Sequence, residues 1–225
     1  MKKSLFPRLA LMAVVVALVS ACSQKKQEYT DVIPANAHTV VSINLKSLAD
    51  KAGLNDKENK EVQEKLTNAL KSGMNAATFQ QMEMIMKDPG IDVSEPLYIF
   101  TTETFPTTIV AKVSSEDDLH ALLETLEKEK VCQPLANGDG FQFTQMGNQV
   151  LIAYTPSVLM LTNYSGTTQL EKIKENIPAL LKQTNENSIV STTIFKKMQK
   201  MGGDISTMFS PASLLGPYAN MIKAS

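Results

Sequence analysis

The sequence predicts an α+β fold: a mainly antiparallel sheet with helices packed chiefly on one face, in the order β-α-α-β-β-α-β-β-β-α, followed by the start of a second repeat. Three observations carry this. Val41, Ile43 and Leu45 alternate with Ser42 and Asn44, which is the period of a half-buried strand. Leu119, Leu122, Leu123 and Leu126 recur at three- and four-residue steps, the period of a helix face. Gly147-Asn148 separates two strand-like runs with a two-residue hairpin signal.

Taken in order, His38 to Leu45 is the first strand, and a short helix from Lys46 stops at Gly53, a residue suited to the left-handed position after a helix. Asp56 to Ser72 carries Val62, Leu66, Ala69 and Leu70 on one face. Asn75 caps a further helix through Lys87, with Phe79, Met82, Ile85 and Met86 on one stripe, and Asp88-Pro89-Gly90 ends it. Pro96–Thr102 and Thr107–Val113 form an antiparallel pair about a Phe105-Pro106 turn. Ser115–Lys128 is the most regular helix, opened by a capping-box-like Ser115 and Asp118. Phe141–Met146 and Gln149–Thr155 make the hairpin, and Val158–Thr162 adds one more strand. Thr167–Lys182 is helical, with Ile177-Pro178 expected to break it into two pieces.

Asn185 to Gly202 matches Asn36 to Gly53 without gaps, through pairs such as Val41/Val190, Ser42/Ser191 and Gly53/Gly202. Several of these are generic strand residues. Read as a repeat, the pattern gives a first α+β repeat at 31–184 and a partial second repeat at 185–225. The chain then ends about 40 residues into its second copy.

The opening segment tells where such a protein works. Lys2, Lys3 and Arg8 precede an apolar run from Leu9 to Val19, too short to span a membrane comfortably, and then comes Val19-Ser20-Ala21-Cys22. This is a lipoprotein signal peptide at 1–21, cut between Ala21 and Cys22, with Cys22 as the acylation site and 22–30 as lipidated cysteine and tether. Cleavage removes three basic residues and leaves 19 Lys+Arg against 23 Asp+Glu. So mild an acidic balance offers no field for nucleic acid or anionic head groups, and the expected partner is a membrane, reached through acyl chains. Lys25 and Lys26 after the cysteine, where some Gram-negative groups place an acidic surface-export run, lean toward the periplasmic face of the outer membrane. Cys132 is then alone, which excludes an internal disulfide and reads as a buried strand thiol.

Tyr29-Thr30-Asp31-Val32-Ile33-Pro34-Ala35-Asn36-Ala37, the lipobox, and Asp88-Pro89-Gly90-Ile91-Asp92 before Pro96-Leu97-Tyr98-Ile99-Phe100 stand together in this chain. With them it resembles an uncharacterised family of lipoproteins from Gram-negative gut bacteria, a domain of unknown function. The resemblance implies two similar α+β repeats in a chain roughly twice this long. It supplies no catalytic residues.

Chemistry is scarce. His38 and His120 have no histidine or cysteine at ligand spacing, and no nucleophile elbow or phosphate-binding glycine loop occurs. Met82, Met84 and Met86 are soft thioethers of the kind that hold Cu(I). On a helix, however, Met84 points away from the other two, and core packing is the simpler account. Asn137-Gly138-Asp139-Gly140 has calcium-turn residues but suits a hairpin loop better. Glu116-Asp117-Asp118 complement a helix dipole. Tyr98 and Phe100 share the strand face opposite Leu97 and Ile99, so that either helices cover both faces or the second meets a partner. No cofactor is implied. The expected function is a non-catalytic, lipid-anchored envelope module that binds a protein partner or small ligand; the alternative is an envelope hydrolase whose site assembles only in the fold.

Overall fold

A computed structural model of the chain describes residues 28–53, 64, 68 and 89–210. Its centre is one eight-stranded sheet in which every neighbouring pair is antiparallel. The strands are β1 (Thr39–Ile43), β2 (Leu97–Thr101), β3 (Thr108–Lys112), β4 (Ala136–Asn137), β5 (Gln142–Met146), β6 (Val150–Tyr154), β7 (Val158–Asn163) and β8 (Ile205–Phe209). They lie side by side as β4-β5-β6-β7-β3-β2-β1-β8. Four helices are described: α1 (Leu45–Lys51), α2 (Glu116–Lys128), α3 (Gly166–Leu181) and α4 (Thr193–Met201). The expected α+β class holds, and the expected element order broadly matches across these residues. Of the two helices expected over 56–87, only Glu64 and Asn68 are described, and both are helical and exposed.

Local chemistry accounts for most boundaries. The Asn44 side chain accepts from the Ser47 amide at the start of α1, and Ser115 does the same for Asp118 at the start of α2. Each such cap satisfies an amide the helix leaves unpaired. Gly147, at φ 58°, turns the β5–β6 hairpin, a conformation that costs a side chain about 1 kcal/mol or more.

One expectation fails. Ile177-Pro178 does not split the helix predicted over Thr167–Lys182, because α3 runs unbroken with Pro178 inside it. The proline sits in the last turn, where little hydrogen bonding remains to be lost. Ile173 and Ile177 just before it are fully buried, and burying such side chains is worth roughly 1.5–3 kcal/mol each. Packing therefore outweighs the local break.

The two sheet faces are covered by different helices. Leu170, Ile173, Ile177 and Leu180 of α3, with Phe195 and Met198 of α4, pack on Val40, Tyr98, Phe100, Val110 and Met160. A 3-10 turn at Tyr29–Val32 belongs to the same layer. On the other face α2 lays Leu119, Leu123 and Leu126 over Ala111, Ile152 and Leu159. Beyond the reach of α2, Val41, Ile43, Ile99 and Ile109 are half-buried on that face, and Ile205 and Phe209 of the edge strand are exposed.

Residues from both predicted repeats share this sheet. The segment matched to β1 differs from it in conformation, since Ile189–Ser191 is a 3-10 turn. The helix after it and its glycine stop do recur, with Gly53 and Gly202 both left-handed. The tail is built in: β8 pairs with β1 in register, and Asp204 ties it to α1 through Ser47 Oγ and Lys51 Nζ, each at 2.6 Å. Tyr29 and Thr30, expected in the tether, are buried. Pairing to the far end of the domain draws their segment in: Ile189 donates to the Ile33 carbonyl, Ala35 to that of Asn187, and Gln183 Nε2 to that of Asp31.

Candidate functional site

A cleft of about 470 Å³ opens where the Glu28–Thr30 turn, the C-terminal end of α4 and the ends of β2, β1 and β8 meet. Strand register explains its character. Val40 pairs with Phe100 on one side and Met208 on the other, and all three are buried. One row nearer the rim on the same face, Ser42 pairs with Tyr98 and Ser206. An apolar row thus gives way to a row of three hydroxyls, all lining the cleft. Neither serine hydroxyl has a hydrogen-bond partner among the described residues. Gly202 and Gly203 border this row without side chains; a Cβ on Gly203 would come within 3.0 Å of Ser206 Oγ.

Aromatic packing fixes the cleft's inner wall. Tyr98 lies between Tyr29 and Phe195, with ring centroids 5.9 and 5.6 Å away, in the tilted range that favours ring pairs. Tyr29 Oη donates to the Pro96 carbonyl at 3.0 Å. Burial, then the neighbouring Tyr98 and the Glu95 carboxylate, hold the Tyr29 hydroxyl well above the ordinary phenol range. It stays protonated at any physiological pH. Among the described residues two carboxylates reach the cleft, Glu28 and Glu95, and Glu95 is engaged by Lys112 Nζ at 3.3 Å.

The residues singled out by sequence are scattered. Phe100 has no exposure and belongs to the core, while Tyr98 is 3% exposed and reaches the cleft; α3 and α4 are what cover this face. Ala21, Cys22, Met82, Met84 and Met86 lie outside the described residues. Cys132 is buried, bridges to Met146 and is a free thiol that burial pushes up. Among the described residues no group of three or more His, Cys, Asp or Glu is spaced to hold a metal ion. No described helix is long and apolar enough to cross a membrane.

His120 is not the solvated bystander its position off the apolar stripe suggests. Its Nδ1 lies 2.7 Å from Tyr154 Oη, which donates to Gln142 Oε1 at 2.7 Å, and its Nε2 is 3.5 Å from Glu124. Among the described residues this carboxylate–imidazole–phenol chain is the nearest approach to a catalytic relay. It ends on a phenol that is 1% exposed and pushed up to about 12 by burial and by Glu116 and Glu124. Such a group is a poor nucleophile, and the chain instead pins α2 to β5 and β6.

The raised Tyr154 pKa has a measurable consequence. Its protonated form is favoured by folding, so its contribution is whole below the ordinary phenol pKa of about 10 and is lost as pH climbs toward 12. A phenolate absorbance titration should show Tyr154 among a delayed class of the five tyrosines, and Tyr154→Phe should shrink that class. Simultaneous ionisation of all five near pH 10, with the protein still folded, would count against this account.

Comparison with known proteins adds little chemistry. No curated protein matches this chain. Crystal form I of TP0453 is similar at a TM-score of 0.37 and 8% identity, over 67% of this chain and 52% of that one. This chain therefore spans about half of that protein's length, and at this level the likeness carries no argument. A family model described as a domain of unknown function, DUF4836, matches residues 29–223. That range takes in every described element from the Tyr29 turn to β8, and the chain belongs to the DUF4836 family.

Proposed function

We propose that this protein is a lipid-anchored module of the bacterial envelope that binds a ligand or partner and performs no catalysis. The observation that carries the reading is Val19-Ser20-Ala21-Cys22 behind a basic start and an apolar run. Cys22 takes the lipid after cleavage at Ala21, and the body stands on the periplasmic face of the outer membrane. Its cleft supports the binding half of the proposal. Tyr29, which lines the cleft, is only seven residues from Cys22, a span of about 25 Å when extended. The cleft thus opens close to the membrane that holds the protein, and an anchored receptor for something found there is the simplest use of the arrangement.

The test is fractionation of cells carrying the wild-type chain or Cys22→Ala. The wild-type chain should remain in the salt-washed membrane pellet, whereas the variant should move to the soluble or precursor fraction. If the variant stays in the pellet as processed protein, the anchor is wrong. Crosslinking in intact cells then identifies what the anchored body touches.

A further inference from the structure

We propose that the cleft edged by Ser42, Ser206 and Gly203 binds a neutral saccharide unit; this rests on the reading of the body as a binding module and names its ligand class. The cleft volume, about 470 Å³, falls in the range of small-ligand sites. Its chemistry narrows the class. Among the described residues no Lys, Arg or His lines it, so none of them balances a phosphate, a carboxylate or a sulfate. Glu95 is already paired with Lys112, which leaves one carboxylate, that of Glu28, without an ion-pair partner among the described residues. A single free acid is little reason for a polycation to bind.

What remains is a set of hydroxyl and amide groups that both donate and accept. Among the described residues the Ser42 and Ser206 hydroxyls have no hydrogen-bond partner, and they stand on a sheet face whose next row is wholly apolar and buried. The Gln199 amide reaches the cleft from α4. Such groups match a ligand that itself alternates donors and acceptors, as the hydroxyls of a sugar ring do. Pro96 and Met198 supply apolar surface for the ring's C–H face. Gly202 and Gly203 keep the space beside Ser206 open, since even a methyl on Gly203 would crowd that hydroxyl.

The experiment is titration of the full mature chain in detergent with maltose, with N,N′-diacetylchitobiose, with spermidine and with inorganic phosphate. Binding is followed by calorimetry and by amide chemical shifts. We expect at least one disaccharide to saturate at or below about 10 mM, within reach of a weak single site, with shifts centred on Ser42, Gln199 and Gly203. Ser42→Ala with Ser206→Ala should weaken it about tenfold, as loss of two hydrogen bonds implies. Gly203→Ala, on an exposed residue that leaves the core untouched, should weaken it too, and Gln199→Ala offers a further surface variant. Saturation by neither disaccharide overturns the proposal, as does tighter binding of spermidine or phosphate, or saccharide binding that none of these variants weakens. Cys22-dependent membrane attachment is read separately, so a failed titration removes the ligand class and leaves the anchor standing.

Discussion

Replacing Gly90 with alanine is expected to destabilise the fold by about 3 kcal/mol or more. Two costs combine. Gly90 has a φ of 66°, and a side chain in the left-handed region costs roughly 1–2 kcal/mol. The added methyl also has nowhere to go. It would sit on the Leu119 amide, 2.5 Å from the Ser115 carbonyl oxygen and 2.8 Å from Leu119 Cβ. Overpacking of this kind adds roughly 1–3 kcal/mol. The contact is structural glue, because the Gly90 carbonyl also accepts from the Ser114 and Ser115 amides and holds the approach to β2 against the first turn of α2. For a chain of this size the melting temperature should fall by about 6–12 °C. Gly140→Ala is the matched control, since Gly140 has a φ of 83° but nothing within 4 Å of its added methyl. It should show the backbone cost alone. Equal melting temperatures for the two variants would mean that the Gly90–α2 contact is not made.

The second large effect is at Phe195. Its side chain is fully buried and it is one of only two buried residues on α4, so truncation removes about half of that helix's hold on the sheet. Phe195→Ala should cost about 3–5 kcal/mol by the lost transfer energy and the cavity left behind. Phe195→Leu, which keeps most of the volume, should cost far less. The loss reaches the cleft as well. Phe195 backs Tyr98, and the same helix carries Met198 and Gln199 to the cleft wall, so ligand binding should fall with helix docking. A variant that keeps wild-type stability in denaturant would show that α4 is held by something other than this ring.

Strand and helix identities were legible because each rests on a local signal. Alternation marks β1, β2 and β3, a leucine stripe and Ser115 mark α2, and Gly147-Asn148 marks the β5–β6 turn. Pro178 was misjudged where local preference met tertiary packing, and packing won. Tyr98 could be placed on a strand from sequence, but nothing local told that its face would be covered by α3 and α4 and would open beside it into a cleft.

By itself, then, the sequence determined the class of fold, the broad order of its elements and the motif from which an anchor is proposed. Only the tertiary structure decided that β8 would close on β1, that the Tyr29 turn would be tied to residues 183–189, and that Ser42, Ser206 and Tyr98 would form one row. The reason is sequence distance. Ser42 and Ser206 stand 164 residues apart, and no periodicity within either strand encodes the register that sets them side by side. Register across distant strands is settled by burying Val40, Phe100 and Met208 together, and the hydroxyl row one step along is carried into place with them.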